Sequence, residues 1–324
     1  MFHSIMFHLT RQTLTHMKHI FLLFTLVLFS LGASAQRHIF LASSPATYPM
    51  ENNQFYSEPD TTFYIFLAFG QSNMVGDAKP EACDYEGISS RFQMMAAVPQ
   101  AANTGNNKGE AREIYKWYTA NPPLNSAYAG LSPCDYFGRT LVEGLPQNIR
   151  VGIINVAIGG CCIEHFFKEY DPAELDRSNW PTWFNNTMHS YADIPYIRLL
   201  DCALRAQHKG VIKGILIHQG ESNKNDTQWP LKAKKVYEDL LADLRLSADE
   251  VPLLAGEVVH ADQMGKSKEA NEQIDRLPLY VPTAHVIPSS GCTANPADTN
   301  HFDAAGYREL GKRYGEVMLK LLGY

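Results

Sequence analysis

The chain has 324 residues, 45% hydrophobic and 19% charged, with a net charge of −6 at pH 7. Such a composition is globular and long enough to bury a sizeable core. It carries neither a basic stripe nor an acidic tail, which excludes nucleic acid as an expected partner.

In chain order, the first pattern is a leader. Met17-Lys18-His19 is basic, Ile20 to Leu31 is uncharged and almost wholly apolar, and Ala33-Ser34-Ala35 has the small-x-small form of a cleavage site. As a helix the apolar run spans only about 18 Å, short of the ~30 Å hydrocarbon core. Residues 1–35 therefore read as a secretory signal peptide with a better start at Met17, and a membrane anchor is the alternative. Export to the periplasm or beyond the cell is the expectation, with no stable membrane span in the mature chain. Residues 36–61 read as an irregular lead-in and 62–324 as one catalytic domain. Six cysteines follow the cleavage point, and Cys161-Cys162 has neither redox nor zinc spacing, so all are taken as structural.

Phe63 to Phe69 is a continuous apolar run ending at Gly70, which suits a strand buried on both faces. Residues 77–131 show no clear period and read as a long insertion, with Arg91, Arg112, Trp117 and Tyr118 as candidate walls of a groove. Cys134 to Leu145 has helical spacing, and Val151 to Ile158 is a second apolar strand. A further excursion at 164–190 leads to a helix over Pro195 to His208. Val211 to Ile217 is a third strand, followed by an amphipathic helix over Trp229 to Leu246. Val251 to Val259 and His285 to Pro288 are two more strands. Ala304 to Leu322 forms the last helix, with Leu310, Tyr314, Val317 and Leu321 as its buried stripe. Alternating strands and helices predict a parallel sheet covered on both faces, an α/β three-layer sandwich.

Ligands of such sheets bind beyond the carboxyl ends of the strands. Four polar clusters fall there or just before the last helix: Gly70-Gln71-Ser72-Asn73-Met74, Gly159-Gly160-Cys161, His218-Gln219-Gly220-Glu221-Ser222-Asn223 and Asp298-Thr299-Asn300-His301. Ser72 sits on a strand-to-helix turn that projects a hydroxyl, and a serine needs a base before it is a nucleophile. His301 supplies that base, and Asp298, three residues earlier, can orient the imidazole. Taken singly, Ser72 and Asp298 could equally be helix caps. Asp303 competes for the carboxylate role but suits the first turn of the helix better. Candidate oxyanion donors are the Ser72 N–H, the backbone at Gly159 or Gly160, and the Gln219 amide. Gln71, Asn73 and Glu221 are expected to support these groups from behind. His218 reads as a satisfied histidine at a strand end. Glu257 and His260 either line the pocket or are structural.

Together these four blocks resemble those of the SGNH hydrolases, in the branch of sialate O-acetylesterase-like proteins and family 6 carbohydrate esterases, the acetylxylan esterases. The resemblance covers residues 62–322. It implies a flavodoxin-like fold with Ser72 as nucleophile, His301 as base and Asp298 as acid. It also implies acyl transfer through an acetyl-enzyme without metal or organic cofactor. In place of the usual third-block asparagine stands Gln219, and Cys161 and Cys162 occupy positions where Ser or Thr is usual. The expected substrate is an acetylated oligo- or polysaccharide, xylan first and sialic acid second. A simple-ester or lipid hydrolase and a non-catalytic carbohydrate-binding protein are the competing readings.

Overall fold

The computed structural model describes residues 58–171 and 180–324. The leader and most of the lead-in lie outside the described residues. Seven strands form the central sheet: β1 (Phe63–Gly70), β2 (Phe92–Met95), β3 (Trp117–Thr119), β4 (Arg150–Ala157), β5 (Val211–His218), β6 (Leu253–Gly256) and β7 (Ala284–Ile287). Their order is β3-β2-β4-β1-β5-β6-β7. All neighbours are parallel except β3, which runs antiparallel along β2 at the edge. Among the described residues seven α-helices accompany the sheet: α1 (Ser72–Val75), α2 (Pro133–Gly144), α3 (Thr182–Ser190), α4 (Pro195–Gln207), α5 (Trp229–Leu244), α6 (Lys268–Ile274) and α7 (Ala304–Leu321). A short hairpin, β8 (Ala294–Asn295) with β9 (Asp298–Phe302), precedes α7.

Alternation along β1 makes the three layers. Phe63, Ile65, Leu67 and Phe69 join the core beneath α3 to α6, whereas Phe66 and Ala68 join the core beneath α2 and α7. Successive side chains of a strand point to opposite faces, so a strand buried on both must be apolar at every position. The result is a three-layer α/β/α sandwich of flavodoxin-like type. Among the described residues no helix is long and apolar enough to cross a membrane.

Three sequence expectations need correction. Residues 77–131 are not a plain insertion, because they contribute β2 and β3 to the sheet itself. The 164–190 excursion contains α3. In α7 the buried stripe runs through Tyr307, Leu310, Tyr314 and Met318, while Leu321 is 40% exposed. The last turn of α7 extends past the core that its earlier turns cover.

Candidate active site

Ser72 is the first residue of α1, immediately beyond the carboxyl end of β1. Gly70 ends that strand at φ +152, and any side chain there would collide with the His218 carbonyl of neighbouring β5. A glycine at this point lets the two strand ends close up and turns the chain into α1. Ser72 stays partly exposed, and its hydroxyl caps nothing: Oγ lies 2.8 Å from His301 Nε2. On the other side of the ring, His301 Nδ1 is 2.8 Å from Asp298 Oδ2. With Nδ1–H donated to the carboxylate, Nε2 is left to accept the Ser72 O–H. Residues 229 positions apart in sequence thus share one hydrogen bond.

Asp298 is kept charged by its surroundings. The Asn300 N–H and then the His301 ring hold its carboxyl below the usual carboxylate range, with Lys266 Nζ 3.7 Å away. Asp303 takes the other role considered for it: it is the N-cap of α7 and accepts from the Gly306 N–H at 2.7 Å. A second carboxylate escaped the sequence reading. Asp77 Oδ2 stands 3.7 Å from His301 Nδ1, five residues past Ser72 in a stretch with no periodic signal.

Asn73 fastens β9 to α1. Its Nδ2 donates to the Asn300 carbonyl at 2.9 Å and to Glu221 Oε1, and its Oδ1 accepts from Phe302 N and from the Tyr307 hydroxyl at 2.7 Å. The residue after Ser72 therefore grips the backbone on both sides of His301. Gln71 fastens the β5 loop in the same way, with Oε1 accepting from Gln219 Nε2 at 3.0 Å and Ser222 N at 3.1 Å.

Gln219 does not serve as an oxyanion donor, contrary to expectation. It is 1% exposed, and its Nε2 donates to Gln71 Oε1, Asn223 Oδ1 and the Cys161 carbonyl. Its Oε1 accepts from Trp229 Nε1. A buried amide with both ends engaged has nothing to offer a ligand. The N–H groups of Ser72, Gly159 and Gly160, in contrast, find no acceptor among the described residues. Gly160 adopts φ +74, and its carbonyl is held by Ser222 Oγ at 3.1 Å.

Glu221 keeps a little exposed surface, but burial of its carboxyl pushes the pKa up to about 7. Its Oε2 is sealed from solvent and unpartnered among the described residues. His218 is fully buried and held neutral, its pKa driven down to about 3 by burial. It is not satisfied as expected: Nδ1 meets Tyr314 Oη at 3.5 Å, while Nε2 has no partner among the described residues.

A cavity of about 670 Å³ opens over Ser72 and His301. Besides these two it is lined by Gly159, Gly160, Tyr128 and Trp183, with Asn125 and Lys224 among its polar groups. None of Arg91, Arg112, Trp117 and Tyr118 reaches it. Arg91 donates to the carbonyls of Val142, Pro146 and Ile149 at the end of α2. Arg112 is buried against the Asn121 and Pro123 carbonyls, Trp117 packs on Phe63, and the Tyr118 oxygen accepts from Glu113 N. Glu257 and His260 are also structural: Glu257 accepts from Ser289 N, and His260 caps the short turn at Asp262. All six cysteines are free thiols, Cys161 buried beneath the Gly70 carbonyl.

The class of protein follows from the family the chain matches, that of a carboxylic ester hydrolase. Residues 62–320 match the carbohydrate esterase, sialic acid-specific acetylesterase family, and the chain belongs to it. It is an acetylesterase of that family, with a carbohydrate as the substrate class. Similar solved structures include a protein from Arabidopsis thaliana, with 16% identity and TM-score 0.59, over 79% of this chain and 98% of that one. NanS is similar at 18% identity and TM-score 0.54, over 82% of this chain and 99% of its own. Both share its fold.

Proposed function

We propose that the enzyme removes O-acetyl groups from carbohydrate through a Ser72-His301-Asp298 triad. The observation that carries this is the unbroken pair of 2.8 Å contacts from Ser72 Oγ to His301 Nε2 and from His301 Nδ1 to Asp298. As Oγ attacks the acetyl carbonyl carbon, His301 Nε2 takes its proton and Asp298 stabilises the imidazolium. The negative charge on the former carbonyl oxygen falls to the N–H groups of Ser72 and of Gly159 or Gly160, for which no acceptor among the described residues competes. The carbon–oxygen bond to the sugar then breaks, and Nε2–H protonates the departing sugar hydroxyl. Water repeats the sequence on the acetyl-enzyme, giving its proton to His301 and releasing acetate as Ser72 recovers its own. Gln71, Asn73 and Glu221 position the loops that carry these groups.

Acetylated xylan is the substrate we favour. O-acetylated sialic acid is the second reading, supported by Lys224, a cavity-lining ammonium with no ion pair among the described residues. Residues 62–324 act as the catalytic domain behind an export leader, placing the enzyme in the periplasm or outside the cell. Acetate release from acetylated xylan, pectin, mannan and O-acetyl sialic acid, for the wild type and Ser72→Ala, tests the reading. Loss of release in the variant is expected. An unchanged rate, or faster cleavage of long acyl esters than of acetate, would overturn it.

A further inference from the structure

Two of the few large apolar side chains left in solvent stand on the wall of one cavity. Trp183 is 58% exposed and Tyr128 is 79% exposed, and both line the space above Ser72. Scattered exposed aromatics are ordinary, but two beside a nucleophile are not. Trp183 is held at the start of α3 by an edge contact with Phe184, ring centroids 5.7 Å apart at 90°. Tyr128 stands beside Gly105, where an added Cβ would come within 2.9 Å of its Cδ1.

Gly159 lies between Trp183 and the nucleophile on the floor of this cavity. A Cβ placed on Gly159 would lie 3.9 Å from Ser72 Cβ and 3.9 Å from Trp183 Cζ3. In a sugar acetate the ring carbon is separated from the reacting carbonyl carbon by a single oxygen. A ring whose ester has reached Ser72 is therefore within reach of the indole. The C–H face of a pyranose is apolar and flat, and an amphipathic aromatic covers it at low entropic cost while hydroxyls remain hydrated. An acyl tail is a poorer occupant, since Asn125, Ser126, Ser222 and Lys224 share the lining.

We infer that Trp183 is the stacking platform for the sugar that bears the ester and Tyr128 the platform for a neighbouring ring, so the enzyme favours oligosaccharides over single sugars. This rests on the active-site reading above. The test compares kcat/KM for p-nitrophenyl acetate, an acetylated methyl xyloside and acetylated xylotriose. Trp183→Ala should lose about tenfold more on the two sugar esters than on p-nitrophenyl acetate, mainly through KM, with Trp183→Phe recovering most of it. Tyr128→Ala should erase the wild type's preference for three rings over one. Equal losses on all three substrates, or a wild type that does not prefer three rings, would overturn the inference. Ser72→Ala separates the two claims. If it still cleaves p-nitrophenyl acetate, the active-site reading fails; if it is inert while Trp183→Ala loses uniformly, only the stacking platform fails.

Discussion

Replacing Gly159 with alanine separates what this position does for folding from what it does for chemistry. Its backbone lies outside the left-handed region, and the nearest atoms to an added Cβ are Ser72 Cβ and Trp183 Cζ3, each at an ordinary contact of 3.9 Å. Nothing among the described residues forbids the methyl group. Removing a glycine's freedom in the unfolded chain should then raise stability by about 0.4–1 kcal/mol. The same methyl fills the place where an acetyl group on Ser72 must turn its oxygen toward the free N–H groups. Displacement of the reacting carbon by about 1 Å costs roughly 10²-fold, and loss of one oxyanion donor costs roughly 10²–10³-fold. Gly159→Ala should thus melt at or above the wild-type temperature while kcat/KM for acetate esters falls about 10²–10³-fold. Calorimetry and steady-state kinetics on one preparation check both halves. Activity within about threefold of wild type would refute this, because the acyl group could not then sit beside Gly159.

Other substitutions read separate parts of the site. Gln219→Ala should destabilise the protein by about 1–3 kcal/mol in urea denaturation, since Trp229 Nε1 loses its acceptor in a buried setting. Wild-type stability with turnover down about 10²–10³-fold would instead return Gln219 to the oxyanion hole. Glu221 gives a pH dependence of definite sign. Between the ordinary glutamate value of 4.5 and about 7 the folded chain keeps a proton that the unfolded chain has lost, so its contribution to stability falls as pH rises. Glu221→Gln removes that loss, and its stability relative to wild type should grow by up to about 3 kcal/mol from pH 4.5 to pH 8. A difference that does not change with pH would mean the carboxyl is not sealed as described.

Legibility in the sequence followed the range of the forces involved. β1, β4 and β5 were visible because a strand covered on both faces is apolar throughout. β2 was not, because Phe92-Gln93-Met94-Met95 is too short to show a period and owes its conformation to pairing with β4. α6 is seven residues of mostly polar sequence, with Ala270 and Ile274 as its apolar contacts. At the site, the polar clusters at strand ends could be placed because a parallel sheet sends those ends to one rim. Side-chain assignment was harder: an amide such as Gln219 looks the same in sequence whether it faces a ligand or Trp229. Aromatic content misled similarly, since Trp117 and Trp183 differ only in which surface their elements present.

The clasp of Asn73 on either side of His301 ties the turn after β1 to β9, near the C-terminal end of the domain. Without that segment the Ser72 hydroxyl loses its 2.8 Å contact with His301 Nε2. On the proposed triad, hydrolysis therefore requires both ends of the domain to be in place at once. If the proposed triad holds, a chain interrupted before Asp298 should release no acetate, and regained turnover after denaturation should report assembly of both ends more strictly than recovered helix signal does.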